Sequence, residues 1–265
     1  MPDIEEEFIR DCWYVAGWSG DFTHALTPLR ILDEQIVVFR TEAGVPAALE
    51  DACPHRKLPL SKGRLTGETV ECGYHGLTFD CSGTCVRAPT QDGPPPAVTV
   101  RSYPVEDRWG ILWIWMGDAN KANPDKIFEI PNYDNPAWGR TQGGSMDIAC
   151  HYLYVVDNLL DPSHVAWVHV SSFAGAGTGN LPLDLEKLDD GIIVSRWVMD
   201  APPPPYYEPI LPFSGNCDRK QHYECRLPST AINMSVYTRA GTGGDNENLP
   251  DDAFLNISYN FMTPI

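Results

Sequence analysis

The sequence predicts an α+β protein: an N-terminal all-β domain, then an antiparallel sheet that carries helices. Three observations predict it. Before residue 117 the apolar residues fall in short β-branched or aromatic runs between turn signals, and no long amphipathic helix pattern appears. Tyr154 to Val170 is the best helical stretch in the chain. After it, Ile192 to Met199, Ala231 to Arg239 and Phe254 to Met262 alternate as sheet strands do. The expected division is residues 1–120 for the first domain, 121–145 for a connector and 146–265 for the second domain.

Taken in order, Arg30–Leu32 and Gln35–Phe39 flank a turn at Asp33-Glu34, and Val45 to Glu50 follows a second turn. Thr69–Cys72 and Leu77–Phe79 bracket a loop. Cys81 and Cys85 flank Ser-Gly-Thr and read as a hairpin. Trp109 to Trp115 has the β-branched and aromatic content of a buried strand. Residues 118–140 are rich in Asn, Pro, Gly and Asp, as a connector is. Met146 to Tyr152 partly alternates and reads as a strand. Leu188-Asp-Asp-Gly-Ile192 signals a hairpin, and Ala201–Pro205 a stiff extended loop. An antiparallel sheet packed on one or a few helices is the economical architecture for the second half.

The 36 acids against 19 bases give a net charge of −17. Such a surface repels nucleic-acid phosphates and anionic membranes, so neither is an expected partner. Acids concentrate at Asp3–Glu7 and across 245–252, as solvated segments do. The start lacks the basic and apolar regions of a signal peptide, and the longest apolar run, Gly110 to Met116, is too short to span a bilayer. The expected location is cytoplasmic, where the eight cysteines are thiols or metal ligands rather than disulfides. Cys12, Cys150, Cys217 and Cys225 read as small core residues.

Two constellations carry chemistry. Cys53-Pro-His55 and, sixteen residues on, Cys72-Gly-Tyr-His75 offer two thiolates and two imidazoles from two short loops. This is the donor set of a Rieske [2Fe–2S] centre, where two histidines replace two cysteines on one iron. Tetrahedral zinc also takes Cys2His2, but zinc fingers pair like with like, whereas each pair here is mixed. The second constellation is Asp157-Asn158-Leu-Leu-Asp161-Pro-Ser-His164-Val-Ala-Trp-Val-His169. Two histidines and a carboxylate make the facial triad of non-haem Fe(II) oxygenases. Residues five apart on a regular helix lie about 140° apart around its axis. For His164 and His169 to share an ion, the helix must break or bulge, and Pro162 suits an interrupted and restarted helix.

CPHR at 53–56, CGYHG at 72–76 and DNLLDPSHVAWVH at 157–169 together resemble the Rieske non-haem iron oxygenases, and within them the vanillate O-demethylase and dicamba monooxygenase type. The likeness runs from CWYVAGW at 12–18 through WGILWIWMGD at 109–118 to the final residues. It implies a helix-grip-like second domain. It implies that Cys53 and Cys72 hold one cluster iron, His55 and His75 the other, and His164 and His169 a mononuclear iron. Asp161 matches a bridging aspartate, bonded to His164 and to His75 of the partner subunit in a homotrimer. Asn158 matches an asparagine near the iron. The family's acidic third ligand comes later than Thr263-Pro264, so it is expected to be missing from a chain ending at Ile265, along with the C-terminal helix.

The implied reaction uses O2 and electrons from NAD(P)H, passed through a separate flavin and iron–sulfur reductase. No G-x-G-x-x-G fingerprint follows a strand here, so the chain itself does not bind nicotinamide. The substrate is expected to be a methoxy-aromatic acid undergoing oxidative O-demethylation, with aromatic ring dihydroxylation as the alternative. A Rieske electron carrier without catalysis is the alternative of a different class, and it would end near residue 120. Trp167, Phe173, Tyr206, Tyr207 and Phe213 are candidates for pocket lining or for core packing.

Overall fold

The computed structural model describes residues 8–93, 95–173, 178–245 and 248–265. The acidic run Asp3–Glu7, and Asn246 and Glu247 of the second run, lie outside these residues. The chain forms two compact units, Met1–Ile148 with Thr263–Ile265, and Ala149–Met262.

The first unit holds β1 (Cys12–Trp18), β2 (Thr27–Ile31), β3 (Glu34–Arg40), β4 (Pro46–Glu50), β5 (Arg64–Thr66), β6 (Thr69–Glu71), β7 (Thr78–Phe79), β8 (Cys85–Arg87), β9 (Ser102–Tyr103), β10 (Val105–Arg108) and β11 (Ile111–Met116). They pair into three antiparallel sheets, ordered β1-β11-β10, β2-β3-β4-β9 and β5-β6-β7-β8.

Strand β3 explains how two cores share one small unit. Its Ile-Val-Val-Phe run is buried on both faces, as an unbroken apolar strand must be. Because side chains alternate, Ile36 and Val38 enter one core with Tyr14, Leu112 and Ile114. Val37 and Phe39 enter the other with Leu49, Val70 and Phe79. Cys53 and Cys72 belong to this second core.

The β2–β3 turn lies one residue earlier than the sequence suggested. Leu32 and Asp33 occupy it at φ 50° and 63°, the left-handed pair of a type I′ hairpin. An apolar turn residue is unusual. Leu32 is held there because its side chain is buried in the first core and its N–H donates to Pro264 O at 3.0 Å.

The second unit contains α1 (Tyr152–Leu160), α2 (Val165–Val168), β12 (Asp184–Leu188), β13 (Gly191–Ala201), β14 (Cys217–Arg226), β15 (Thr230–Arg239) and β16 (Phe254–Phe261). The strands form an antiparallel meander in sequence order. Helix α1 packs on β14 and β15, and Asn233 Nδ2 donates to Leu159 O at 3.0 Å. Two expectations fail here. Met146–Tyr152 is not a strand: residues 146–151 lack regular structure and Tyr152 begins α1, capped by the His151 side chain, which accepts from Leu153 N. The partial alternation had no partner strand to satisfy its backbone. Cys150 is exposed rather than a core residue, whereas Cys217 is buried and Cys12 and Cys225 are half-buried. Among the described residues no helix is long and apolar enough to cross a membrane.

Candidate metal centres

The two cysteine loops have the same backbone wiring. Cys53 N–H donates to Leu58 O at 2.9 Å, and Lys57 N–H returns to Cys53 O at 2.8 Å. Cys72 N–H donates to Leu77 O at 2.8 Å, and Gly76 N–H returns to Cys72 O at 3.0 Å. In both loops the fourth residue after the cysteine is left-handed, Lys57 at φ 56° and Gly76 at φ 69°. Each turn therefore buries its cysteine and lifts its histidine. Both cysteines are 2% exposed, while His55 and His75 are exposed.

The loops sit side by side. The imidazole centroids of His55 and His75 are 4.4 Å apart, and the Cys53 and Cys72 thiols are near enough to act on one another. Burial pushes the Cys53 thiol up, against the backbone N–H groups of His55 and Arg56, which favour the thiolate. Lost solvation and the charges of His55 and Arg56 hold His75 below the ordinary histidine value. It is neutral near pH 7, the form that binds a metal. Below the first loop, buried Asp51 accepts from Ser61 N and Oγ, both at 2.6 Å.

The arrangement is two pairs, buried thiols and exposed imidazoles. Among the described residues no three His, Cys, Asp or Glu side chains gather as donors to a single ion. Paired sulfurs and paired nitrogens fit a two-iron cluster with one pair on each iron.

The second constellation shows the break that its spacing required. Helix α1 stops at Leu160, with Asp161 as its C-cap at φ −85°, ψ 103°. Asp161 Oδ1 accepts from Ser163 N at 2.7 Å and from Ser163 Oγ, an Asx turn around Pro162. The chain re-enters a single helical turn, α2, with His164 at its N-cap and His169 at its C-cap. The two rings have centroids 5.4 Å apart and an interplanar angle of 71°. A metal–imidazole bond of about 2.1 Å puts a ring centroid roughly 3 Å from the ion, so two rings in adjacent coordination positions come about 5 Å apart. The pair fits one ion.

His164 Nδ1 is buried and, among the described residues, lacks a hydrogen-bond partner. Asp161 Oδ2 stands 3.4 Å from it, within ion-pair reach but off hydrogen-bonding geometry. Burial raises the Asp161 carboxyl, but the two Ser163 donors and His164 outweigh it and hold the group below the usual carboxylate range. Asn158 is exposed on α1, and its carbonyl accepts from Asp161 N at 3.3 Å.

Of the candidate aromatics, Phe173 stacks on His169 with centroids 4.4 Å apart. Tyr207 is buried against Tyr237, and Phe213 packs on the same cluster. Trp167 and Tyr206 are exposed.

Sequence reasoning missed the residues behind the helices. Strand β14 places Arg219, Gln221 and Tyr223 on the face that α1 covers, in register with Arg196 on β13 and Asn233 on β15. Arg196, 3% exposed, donates from Nε to Gln221 Oε1 at 2.7 Å, from Nη1 to Thr178 O at 2.6 Å and from Nη2 to Pro162 O at 3.1 Å. It ties the Asp161–His164 loop to the sheet.

Comparison with known proteins fits this geometry. Residues 12–104 match the Rieske [2Fe-2S] domain, and residues 148–265 match the vanillate O-demethylase oxygenase C-terminal domain. The iron–sulfur subunit of the toluene-4-sulfonate monooxygenase system of Comamonas testosteroni is 37% identical, over 97% of this chain and 75% of its own length. The chain belongs to the Rieske non-haem iron oxygenases. The vanillate O-demethylase oxygenase subunit of a Pseudomonas strain is 35% identical, over 97% of this chain and 73% of its own. Dicamba monooxygenase with 3,6-dichlorosalicylic acid superposes with a TM-score of 0.87 at 31% identity, covering 97% of this chain and 74% of that one. A structure of the same enzyme with non-haem iron and dicamba gives 0.79 at 29% identity. The α+β architecture, with an N-terminal Rieske domain, is the family's. The protein is an oxygenase component of the Rieske monooxygenase type.

Proposed function

We propose that this chain is the terminal oxygenase of a multicomponent aromatic O-demethylase. The carrying observation is two sets of candidate metal donors in one chain: the side-by-side loops at Cys53–His55 and Cys72–His75, and the two rings bracketing α2. In the overall reaction one oxygen atom of O2 enters the methyl C–H bond of an aryl methyl ether. The hydroxymethyl ether collapses to a phenol and formaldehyde. The second oxygen leaves as water, with two protons and two electrons from NAD(P)H delivered by a flavin and iron–sulfur reductase.

Cys53 and Cys72 would hold one cluster iron, His55 and His75 the other, and His164 and His169 would bind the mononuclear iron. When bound, the cluster supplies single electrons and the mononuclear iron supplies O2 activation. The rest is positioning. Asp161, held ionised by Ser163, faces His164 Nδ1 and leaves Nε2 as the metal-facing nitrogen. Arg196 fixes the backbone of that loop through Pro162 O. Asn158 is a polar neighbour of the loop. In a homotrimer Asp161 would also reach His75 of the partner subunit and so join the two metals. Among the described residues no third donor joins the histidine pair. The substrate class is a methoxy-aromatic acid.

The test is formaldehyde and phenol release from 4-methoxybenzoate with NADH, O2 and a reductase of that class. His164→Ala is expected to abolish release while leaving the cluster's reduced electron paramagnetic resonance signal. A chain that reduces and reoxidises its cluster with no oxygenated product from any methoxyaryl acid is an electron carrier instead.

A further inference from the structure

The helix-covered face of the second-unit sheet holds two arginines with opposite circumstances. All three nitrogens of the Arg196 guanidinium have an acceptor from this chain. Arg219 has none. It is 1% exposed, and its Nε, Nη1 and Nη2 are all buried without a hydrogen-bond partner. Its cross-strand neighbours are Val198 on β13 and Tyr237 on β15.

The groups that bear on Arg219 most are Tyr237, Cys217 and Tyr223, with no carboxylate among them. The Tyr237 hydroxyl is close enough to act on the guanidinium but is not in hydrogen-bonding geometry. Arg196 is a further cation that feels it. Desolvation pushes both arginines down, yet a guanidinium keeps its proton in a protein. A buried charge with no partner is among the costliest arrangements a fold can hold. Here it persists in a chain of net charge −17, which has carboxylates to provide.

The phenols of Tyr223 and Tyr237 act on it, and that of Tyr207 feels it while donating its own O–H to Asn256 Oδ1 at 3.3 Å. Burial pushes Tyr223 up to about 12 and raises Tyr207 and Tyr237 as well, so all three stay protonated. A forked cation among neutral O–H groups is a receptor for an oxyanion. Its place on the sheet links it to the histidine loop. Arg219 is two residues along β14 from Gln221, roughly 7 Å. Gln221 is bonded to Arg196, which holds the Pro162 carbonyl. Arg219 thus stands on the same face of the sheet as the Gln221–Arg196 pair that holds the histidine loop.

We propose that Arg219 is the specificity-determining anion receptor of the substrate site, pairing through its fork with the carboxylate or sulfonate of an aromatic substrate. The aromatic part rests on the oxygenase reading above; the anion subsite rests on the orphaned guanidinium.

The test is binding to the iron-loaded full chain, by calorimetry, of 4-methoxybenzoate, 4-methoxybenzenesulfonate and methyl 4-methoxybenzoate. The wild type is expected to bind at least one of the two anions about 10- to 100-fold more tightly than the ester, the range of a charge-assisted pair. Arg219→Met should erase that preference while leaving ester affinity and the cluster spectrum in place. Arg219→Lys, which keeps the charge but not the fork, should retain part of it. Equal wild-type affinity for both anions and the ester overturns the proposal, and this measurement needs no variant to fold. A full preference surviving in Arg219→Met overturns it as well. Anion preference without formaldehyde release upholds the receptor and sinks the demethylase reading; formaldehyde release without anion preference does the reverse.

Discussion

Asp161 is the side chain on which most of the second constellation turns. It ends α1, accepts twice from Ser163 and faces His164 Nδ1. Asp161→Asn keeps the size and the cap but removes the charge that steadies an imidazole bound to a metal. Partners of metal-ligating histidines are worth about 10- to 100-fold in affinity or activity. Product formation should fall at least that far while the cluster's absorbance and paramagnetic signal stay unchanged; normal turnover would refute the assignment. Asp218, a fully buried carboxylate, has a different task. It accepts from Asp200 N and Gly241 N at 2.7 Å and from Gly243 N at 2.9 Å. Burial raises its carboxyl, and these backbone donors outweigh burial and lower it. A folded value below the unfolded one means its contribution is fully present above the unfolded carboxylate value, about 3.9, and is lost as pH falls through the lower folded value. Asp218→Asn should cost about 2–4 kcal/mol at neutral pH, since an amide cannot accept all three donors. Its stability should also change less than the wild type's below about pH 4, as urea unfolding across pH would read. Neither role is written in the sequence around these residues: Asp161 reads equally as a helix cap, and the bonds to Asp218 come from backbone 18 to 25 residues away.

At the scale of elements, the cluster loops were legible because both donors of each pair lie within one turn. The long helix was legible as helical, and its break was legible from Pro162 and the five-residue histidine spacing. The central strand β14 was not. Its sequence, CDRKQHYECR, lacks the apolar alternation that marks a strand. Its inner face carries Arg219, Gln221 and Tyr223, and its outer face a chain in which His222 Nε2 meets Glu224 Oε2 at 2.8 Å and Arg226 Nε meets Glu224 Oε1 at 2.5 Å. A strand with polar groups on both faces loses the periodic signal, and only its neighbours β13 and β15 reveal it. What sets the two cluster loops against each other is also hidden in the sequence. A Cβ on Gly63 would lie 2.1 Å from Glu71 O, and one on Gly73 would lie 2.8 Å from Lys62 O. Each loop's flank is therefore seated against the other's backbone. Gly63→Ala must push Glu71, and with it Cys72, away from the first loop. We expect about 3 kcal/mol of destabilisation, at the upper end for overpacking, and iron–sulfur content well below that of the wild type. Full cluster occupancy in a stably folded Gly63→Ala protein would show that the two loops are not locked together through this contact.

At the scale of the whole chain, each unit has its own core. Tyr14, Ile36, Leu112 and their neighbours fill one part of the first unit, and Val37, Phe39, Val70, Cys53 and Cys72 the other. Tyr207, Cys217 and Tyr237 form a separate cluster in the second unit. Two of the first unit's buried core residues are thus thiols proposed as metal ligands. Metal binding to such a site is folding free energy, because the unfolded chain does not hold the donors together. Removing the cluster leaves two desolvated thiols in an otherwise apolar core and frees both loops. The second unit contains none of those four donors, so its sheet should not feel the loss directly. Calorimetric unfolding of the loaded protein should show two transitions, as units with independent cores do. Stripping the cluster anaerobically with a chelator should lower one transition by several degrees or more and leave the other nearly in place. Proteolysis of the stripped protein should then begin within residues 53–76. A single transition that shifts as a whole would mean that the two units unfold as one, and the cluster would then be a support for the catalytic sheet as well as for its own domain.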